Sequence, residues 1–182
     1  METPIEYKAR ILKLMEGKDP VAVQRQTAPE LEKLIAVVPA EKLSRRPTPD
    51  KWSVNEVLAH LAEAEITSSW RYRQMLEHDG CSLPGYDQNL WTRLGSYGTR
   101  KPEASLQLFR LLREGNLQMF EKLTPAEWEK HGIHTERGRM TVRELAVQIA
   151  GHDINHLAQI KAILESLRSA GTHLIGCENQ LS

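Results

Sequence analysis

What this chain lacks narrows its chemistry before any motif is read. It has two cysteines in 182 residues, Cys81 and Cys177, far apart and outside any CxxC pattern. That is too few and too scattered for a disulfide framework, and it reads as free thiols in a reducing compartment. Neither charge is in excess: 24 Lys plus Arg stand against 24 Asp plus Glu, with a pI of about 7.1. A neutral chain gives no electrostatic reason to expect nucleic acid or an acidic membrane as the main partner, and Arg45-Arg46 is too short a basic cluster to supply one. No apolar run approaches the ~20 residues of a membrane span. The opening Met1-Glu2-Thr3-Pro4-Ile5-Glu6 lacks a basic segment followed by an apolar one, so no signal peptide is expected and cytoplasmic is the default. Neither G-x-x-x-x-G-K nor G-x-G-x-x-G occurs, and H-E-x-x-H is absent too.

What is present is helical periodicity. With 40% apolar and 26% charged residues the chain has the composition of one globular domain. Residues 4–16 read as a short amphipathic helix with Ile5, Ala9, Leu12 and Met15 on one face, closed by Gly17. Asp19-Pro20 opens a second helix to Val38, with Ala28, Leu31, Leu34, Ile35 and Val38 inward and a kink or restart at Pro29. After a proline-rich connection over 39–52, the capping box Ser53-Val54-Asn55-Glu56 launches a helix to about Glu77, with Val57, His60, Leu61, Ala64 and Met75 inside. The segment from His78 to Lys101 has no helical period, yet Tyr86, Leu90 and Trp91 carry too much apolar surface for disorder. It reads as an ordered crossover with room for a short helix. Pro102 starts a third long helix, with Leu108, Phe109, Leu112, Met119 and Phe120 inward. A second capping box, Thr124 to Glu127, gives a short helix to about Lys130, and 131–140 reads as a turn-rich loop. The third box, Thr141 to Glu144, launches the last helix, expected to end near Ser169-Ala170-Gly171 before a polar tail. Four long helices, no convincing strand and no repeat define an all-α helix bundle with one long crossover. The expected divisions are an extension at 1–19, a bundle domain at 20–170 and a tail at 171–182.

The chemistry concentrates on His152 and His156, four residues apart on the last helix. They interrupt the apolar stripe Val142, Leu145, Ile149, Ile160, Ile163 and Leu167, where leucine or isoleucine would be the default. His60 interrupts the inner face of another helix in the same way. Two readings fit. Three imidazoles from two packed helices can hold a divalent metal with an open coordination position; or they are core histidines hydrogen-bonded to carbonyls, water or one another. Imidazole does not choose among zinc, nickel, iron, manganese and cobalt. The other histidines, His78, His131, His134 and His173, read as exposed loop or tail residues; Glu63, Glu65 and Asp153 stand close enough in sequence to His60 and His152 to support them as outer carboxylates, but their helical phase reads as surface charge. Tyr86, Asp87 and Trp91 can line a pocket mouth or pack on the bundle, and Cys81 has no basic group clearly beside it to activate it.

Two motifs taken together carry a resemblance: Lys51-Trp52-Ser53-Val54 with Glu56 and His60-Leu61, and His152-Asp153-Ile154-Asn155-His156-Leu157-Ala158-Gln159-Ile160. In this combination the chain resembles the DinB/YfiT-like superfamily over about residues 20–168. Tyr86 to Trp91 resembles the aspartate- and tryptophan-bearing crossover of the YfiT-type branch, and His134 in its glycine-containing loop fits there too. The resemblance implies a four-helix bundle of up-down-down-up topology, commonly a homodimer, with a divalent metal, often nickel or zinc, on His60, His152 and His156. Members of known activity are thiol-dependent: bacillithiol or mycothiol S-transferases and a mycothiol-dependent isomerase. The expectation is therefore a metal-dependent transferase that joins a low-molecular-weight thiol to an electrophilic small molecule. The alternative is a non-catalytic, stress-associated metal or small-molecule binding protein; a purely structural bundle with core histidines is the third. The first nineteen residues lie outside the resemblance, and none of the site residues it implies falls there.

Overall fold

The computed structural model describes residues 4–175, and the side chains of 6–168. Helix α1 (Pro4–Lys13) is followed by α2 (Pro20–Ile35), whose Asp19 side chain caps the backbone N–H of Ala22 at 2.6 Å. Pro29 neither breaks nor restarts α2, which instead stops three residues short of Val38. The proline-rich connection contains a one-turn helix, α3 (Ala40–Ser44), and then α4 (Val54–Glu77) starts from its capping box: Ser53 N–H donates to Glu56 at 2.8 Å, and Glu56 N–H donates back to Ser53 Oγ at 3.3 Å. The crossover holds a strand, β1 (Cys81–Leu83), and a short helix, α5 (Gln88–Leu94). Helix α6 (Pro102–Phe120) and the one-turn α7 (Pro125–Trp128) follow.

The segment 131–140 is a β-hairpin rather than a loop. Strands β2 (His131–His134) and β3 (Gly138–Thr141) pair antiparallel, with His134 opposite Gly138, and β1 adds parallel to β2. Gly138 closes the tight turn at φ +72°, a backbone shape that side chains disfavour. The expectation of no strands is thus corrected. Strands of three and four residues are too short to show a period of two, and the hairpin carries a charged tip.

The third capping box forms as expected, with Thr141 N–H to Glu144 at 2.8 Å and Glu144 N–H to Thr141 Oγ1 at 3.0 Å, and starts α8 (Val142–Ile175). Helix α8 runs past the expected stop, because Gly171 stays in the helix instead of capping it. Cys177 and the last residues of the expected tail lie outside the described residues, as does the side chain of His173.

Two apolar clusters sit at opposite ends of the bundle. One joins Leu31 of α2, Val57 and Leu61 of α4, Phe109 of α6 and Ile163 of α8; the other joins Tyr72 and Met75, Leu117 and Phe120, and Val142 and Leu145, with Val21 of α2 against it. Helices α4 and α6 begin in the first cluster and end in the second, whereas α2 and α8 run the opposite way. Each fully buried leucine here contributes about 1.5–3 kcal/mol by leaving water. Met15, just past the end of helix α1, is buried as its periodicity suggests, but the helix lies on α8 through Ile11 rather than through Ala9 and Leu12, which are exposed. Gly151 is what admits it, since a Cβ there would stand 2.5 Å from the Ile11 carbonyl oxygen.

Candidate metal centre and its cavity

The bundle brings His60 of α4 against His152 and His156 of α8. His152 Nε2 is 3.0 Å from His60 Nε2 and 3.1 Å from His156 Nε2, and one ligand atom from each ring lies within 4.8 Å of the other two. Trp52, the tryptophan of the first motif, leans on His60 with ring centroids 5.2 Å apart. Burial pushes His60 down to about 3, with the neighbouring His156 adding to the effect, and pushes His156 down to about 4. His152 is likewise held well below the usual imidazole value, first by desolvation and then by the two adjacent rings. All three rings are therefore neutral near pH 7 and offer lone pairs rather than charge.

Hydrogen bonding cannot satisfy this cluster internally. His152 Nε2 faces two nitrogens, yet it carries either one proton or one lone pair, so at most one of the two contacts is a hydrogen bond at a time. The Nδ1–H of His156 donates to Gln159 Oε1 at 2.7 Å, which fixes the tautomer with the Nε2 lone pair turned to the cluster. A tetrahedral ion bound at roughly 2.0–2.1 Å sets its ligand nitrogens roughly 3.3 Å apart, near the spacing here. The donor set fits a divalent metal: the three histidines could bind one, and no further His, Cys, Asp or Glu among the described residues joins their group.

The cluster opens into a cavity of about 420 Å³. On α4 its wall is His60, Ala64, Thr67, Ser68 and Arg71; on α8 it is Leu145, Gln148, Ile149, His152 and His156. Tyr86 of the crossover, the β2–β3 hairpin and Tyr7 of α1 complete it. Of the expected pocket residues, Tyr86 lines the cavity. Trp91 stands behind it, stacked at a centroid distance of 4.4 Å, and Asp87 is exposed and caps α5 through Leu90 N–H at 3.0 Å.

Several expectations are corrected. Glu65 and Asp153 are not surface charges: each is 1% exposed, and both grip Arg113 of α6. Arg113 makes five hydrogen bonds for its five N–H groups, two to Glu65, two to Asp153 and one to the Gln24 carbonyl. Burial opposes its charge, but the two carboxylates outweigh that and its pKa is raised. Helical phase misleads here because the histidine face is not the only inward one: at the bundle centre α4 and α8 also turn Glu65 and Asp153 towards α6. Glu63 is half-buried and paired with Arg100 at 2.8 Å. His134 is buried rather than exposed, on β2 and 3.1 Å from Arg71, and burial with the nearby Arg71 and Arg137 pushes it down to about 4. His131 is half-buried and 2.7 Å from Asp79, whereas His78 is exposed at the end of α4 as expected. Cys81 is a free thiol in β1 whose pKa burial pushes up, which leaves it unactivated.

Arg71 was missed, although a signal existed: positions 60, 64, 67, 68 and 71 recur at helical spacing as a stripe of small or polar residues on α4. Among the described residues no helix is long and apolar enough to cross a membrane.

The comparisons agree with this architecture. A model of the DinB superfamily matches residues 25–160, and the chain belongs to that family. YfiT of Bacillus subtilis, named as a candidate metal-dependent hydrolase, is 25% identical over 157 residues, 85% of this chain and 88% of its own. A protein of Oceanobacillus iheyensis with the same kind of name is 24% identical over 127 residues, 69% of this chain and 72% of its own. The solved structure of YfiT, described as a four-helix bundle of unusual topology, superposes with a TM-score of 0.76 at 21% identity, covering 81% of this chain and 85% of that one. A mycothiol-dependent maleylpyruvate isomerase superposes with a TM-score of 0.64 at 11% identity, covering 81% of this chain and 60% of that one. The four-helix bundle is shared with both solved structures.

Proposed function

We propose that this chain is a divalent-metal enzyme that joins a low-molecular-weight thiol, of the bacillithiol or mycothiol type, to an electrophilic small molecule. The observation that carries the reading is three neutral imidazoles converging, with no fourth ligand group among the described residues, at the edge of a cavity sized for a small molecule. His60, His152 and His156 would hold the ion, zinc or nickel before iron, manganese or cobalt. A bound divalent ion would supply a Lewis acid that lowers the pKa of a thiol placed on it, so that thiolate is available at neutral pH. The chain's own part is positioning. Gln159 fixes the His156 tautomer, Trp52 shields His60 from water, and Tyr86 with Trp91 behind it gives the second substrate a flat wall. A reducing, cytoplasmic compartment would keep such a thiol reduced.

Hydrolysis, the activity in the relatives' names, is the second reading. It needs a proton acceptor beside the attacking water, and the one carboxylate among the cavity-lining residues is Glu136, exposed in the β2–β3 turn. A thiol ionises far more readily than water and would release its proton to solvent at the open cavity, so it depends less on such an acceptor, which favours transfer. The deciding assay loads purified chain with metal and follows thiol loss against a chloronitrobenzene electrophile, with nitrophenyl esters in parallel. Thiol consumption well above that of His152→Ala supports transfer; ester cleavage alone supports hydrolysis; stoichiometric metal with neither turnover leaves a binding protein. The working unit is taken to be a homodimer on family resemblance, which sedimentation velocity tests.

A further inference from the structure

We propose that Arg71 and His134 form a carboxylate-binding subsite in the wall of the cavity, seating an anionic group of the small molecule whose reactive end meets the histidine cluster. The assignment of that reactive end rests on the function proposed above; the anion subsite rests on its own geometry.

Arg71 lies on α4 three turns beyond His60, lines the same cavity and is 6% exposed. Its Nη2 donates to the Pro84 carbonyl at 2.7 Å, while its Nε is buried with no acceptor. Arg113, Arg46 and Arg100 are each paired with a carboxylate, but Arg71 has no ion pair among the described residues. A buried guanidinium left in that condition is costly unless something else supplies the negative charge. Burial accordingly pulls its pKa below the ordinary value.

His134 sharpens the point. The Glu136 backbone N–H donates to its Nδ1 at 3.1 Å, so the neutral ring carries its proton on Nε2. That Nε2 stands 3.1 Å from Nη2 of Arg71, which is also a donor. Two N–H groups facing each other share no acceptor, and a carboxylate set against both would give each one. Arg137, at the hairpin tip, adds positive potential to the same wall, opposed there by Glu136 alone. Tyr86 closes one side, its ring centroid 6.0 Å from the Arg71 guanidinium carbon. A planar fork beside one imidazole N–H suits a planar, two-oxygen anion.

The test is calorimetric titration of the full chain, stripped of metal, with succinate. The wild type is expected to bind, and Arg71→Met to bind about tenfold more weakly or worse. Should Arg71→Met fail to fold, the wild type alone decides: the imidazole resonances of His134, identified by their loss in His134→Gln, move with succinate while those of exposed His78 stay put. Equal binding by wild type and Arg71→Met, or His134 resonances that move no more than those of His78, overturns the proposal. In metal-loaded protein, a preference for N-acetylcysteine over N-acetylcysteamine that Arg71→Met abolishes puts the carboxylate on the thiol. No preference, with succinate still bound, puts it on the electrophile; both outcomes uphold the subsite. Succinate titration uses neither metal nor thiol, so a chain that binds succinate and transfers no thiol sinks the proposed reaction alone. A chain that transfers thiol and ignores succinate sinks the subsite alone.

Discussion

Two polar clusters lie inside this bundle, both drawing on α4 and α8, and they differ in how far their groups are satisfied. Around Arg113, every guanidinium N–H has an acceptor, and Thr27 and Asn116 supply further bonds to Asp153 and Glu65. Around His152, three imidazole nitrogens crowd together with too few protons to bond one another. The first cluster is closed and ties α2, α4, α6 and α8 together; the second is incomplete and faces a cavity. Asp153 and His152 are neighbours in the chain, so one step along α8 separates a group satisfied by the fold from one that needs a ligand.

The contrast can be broken in four ways, taken from the largest expected effect. His152→Ala should reduce metal, measured by elemental analysis of protein purified without a histidine tag, from about one equivalent per chain to background. Its metal-free stability should change by only about 1 kcal/mol, since a crowded contact is lost along with the ring. Full metal retention by this variant would mean that the histidines are not the ligands.

Acid comes next. The unfolded chain takes up protons on histidine below about pH 6.5, whereas folded His60 and His156 resist protonation until about 3 and about 4. The unfolded state therefore binds more protons throughout that window. The stability that these neutral rings carry is complete above about pH 6.5 and is lost as pH falls towards 4, on the order of 5 kcal/mol in the metal-free chain. Urea midpoints that do not move between pH 7 and 4.5 would contradict this.

Arg113→Met should cost about 3–5 kcal/mol, because it leaves two buried carboxylates without their cation. Urea unfolding reads this directly, and adding Glu65→Gln with Asp153→Asn should recover much of the loss. Last, Gln159→Leu removes the acceptor that fixes the His156 tautomer, and should weaken metal binding by about 10–100-fold while leaving stoichiometry intact. A competition titration with a chelating dye measures it.

Much of this was legible from residue order. Three capping boxes start helices where they were expected to, because such a box satisfies backbone donors within four residues and needs nothing from the rest of the fold. His60, His152 and His156 stood out because each replaces an apolar residue at helical spacing, and the bundle brings them together. Arg113 should have been as visible, one turn from both Phe109 and Leu117, but a single arginine on an inner face says nothing of which carboxylates meet it. The place of β1 and the burial of His134 depend on contacts distant in sequence, Cys81 with Gly132 and Arg71 with His134, and no local period encodes those.

Helix α1 carries a consequence beyond its packing. The matched family segment begins at residue 25, yet Tyr7 lines the cavity, Ile11 fills the notch at Gly151 and Arg10 donates to Asn155 at 2.6 Å, between the two histidines of α8. A molecule in this cavity would therefore meet residues that lie outside the matched segment. Two relatives could share every histidine and still select different molecules, and a clone trimmed to the matched segment would keep the three histidines while losing a wall of the cavity they face.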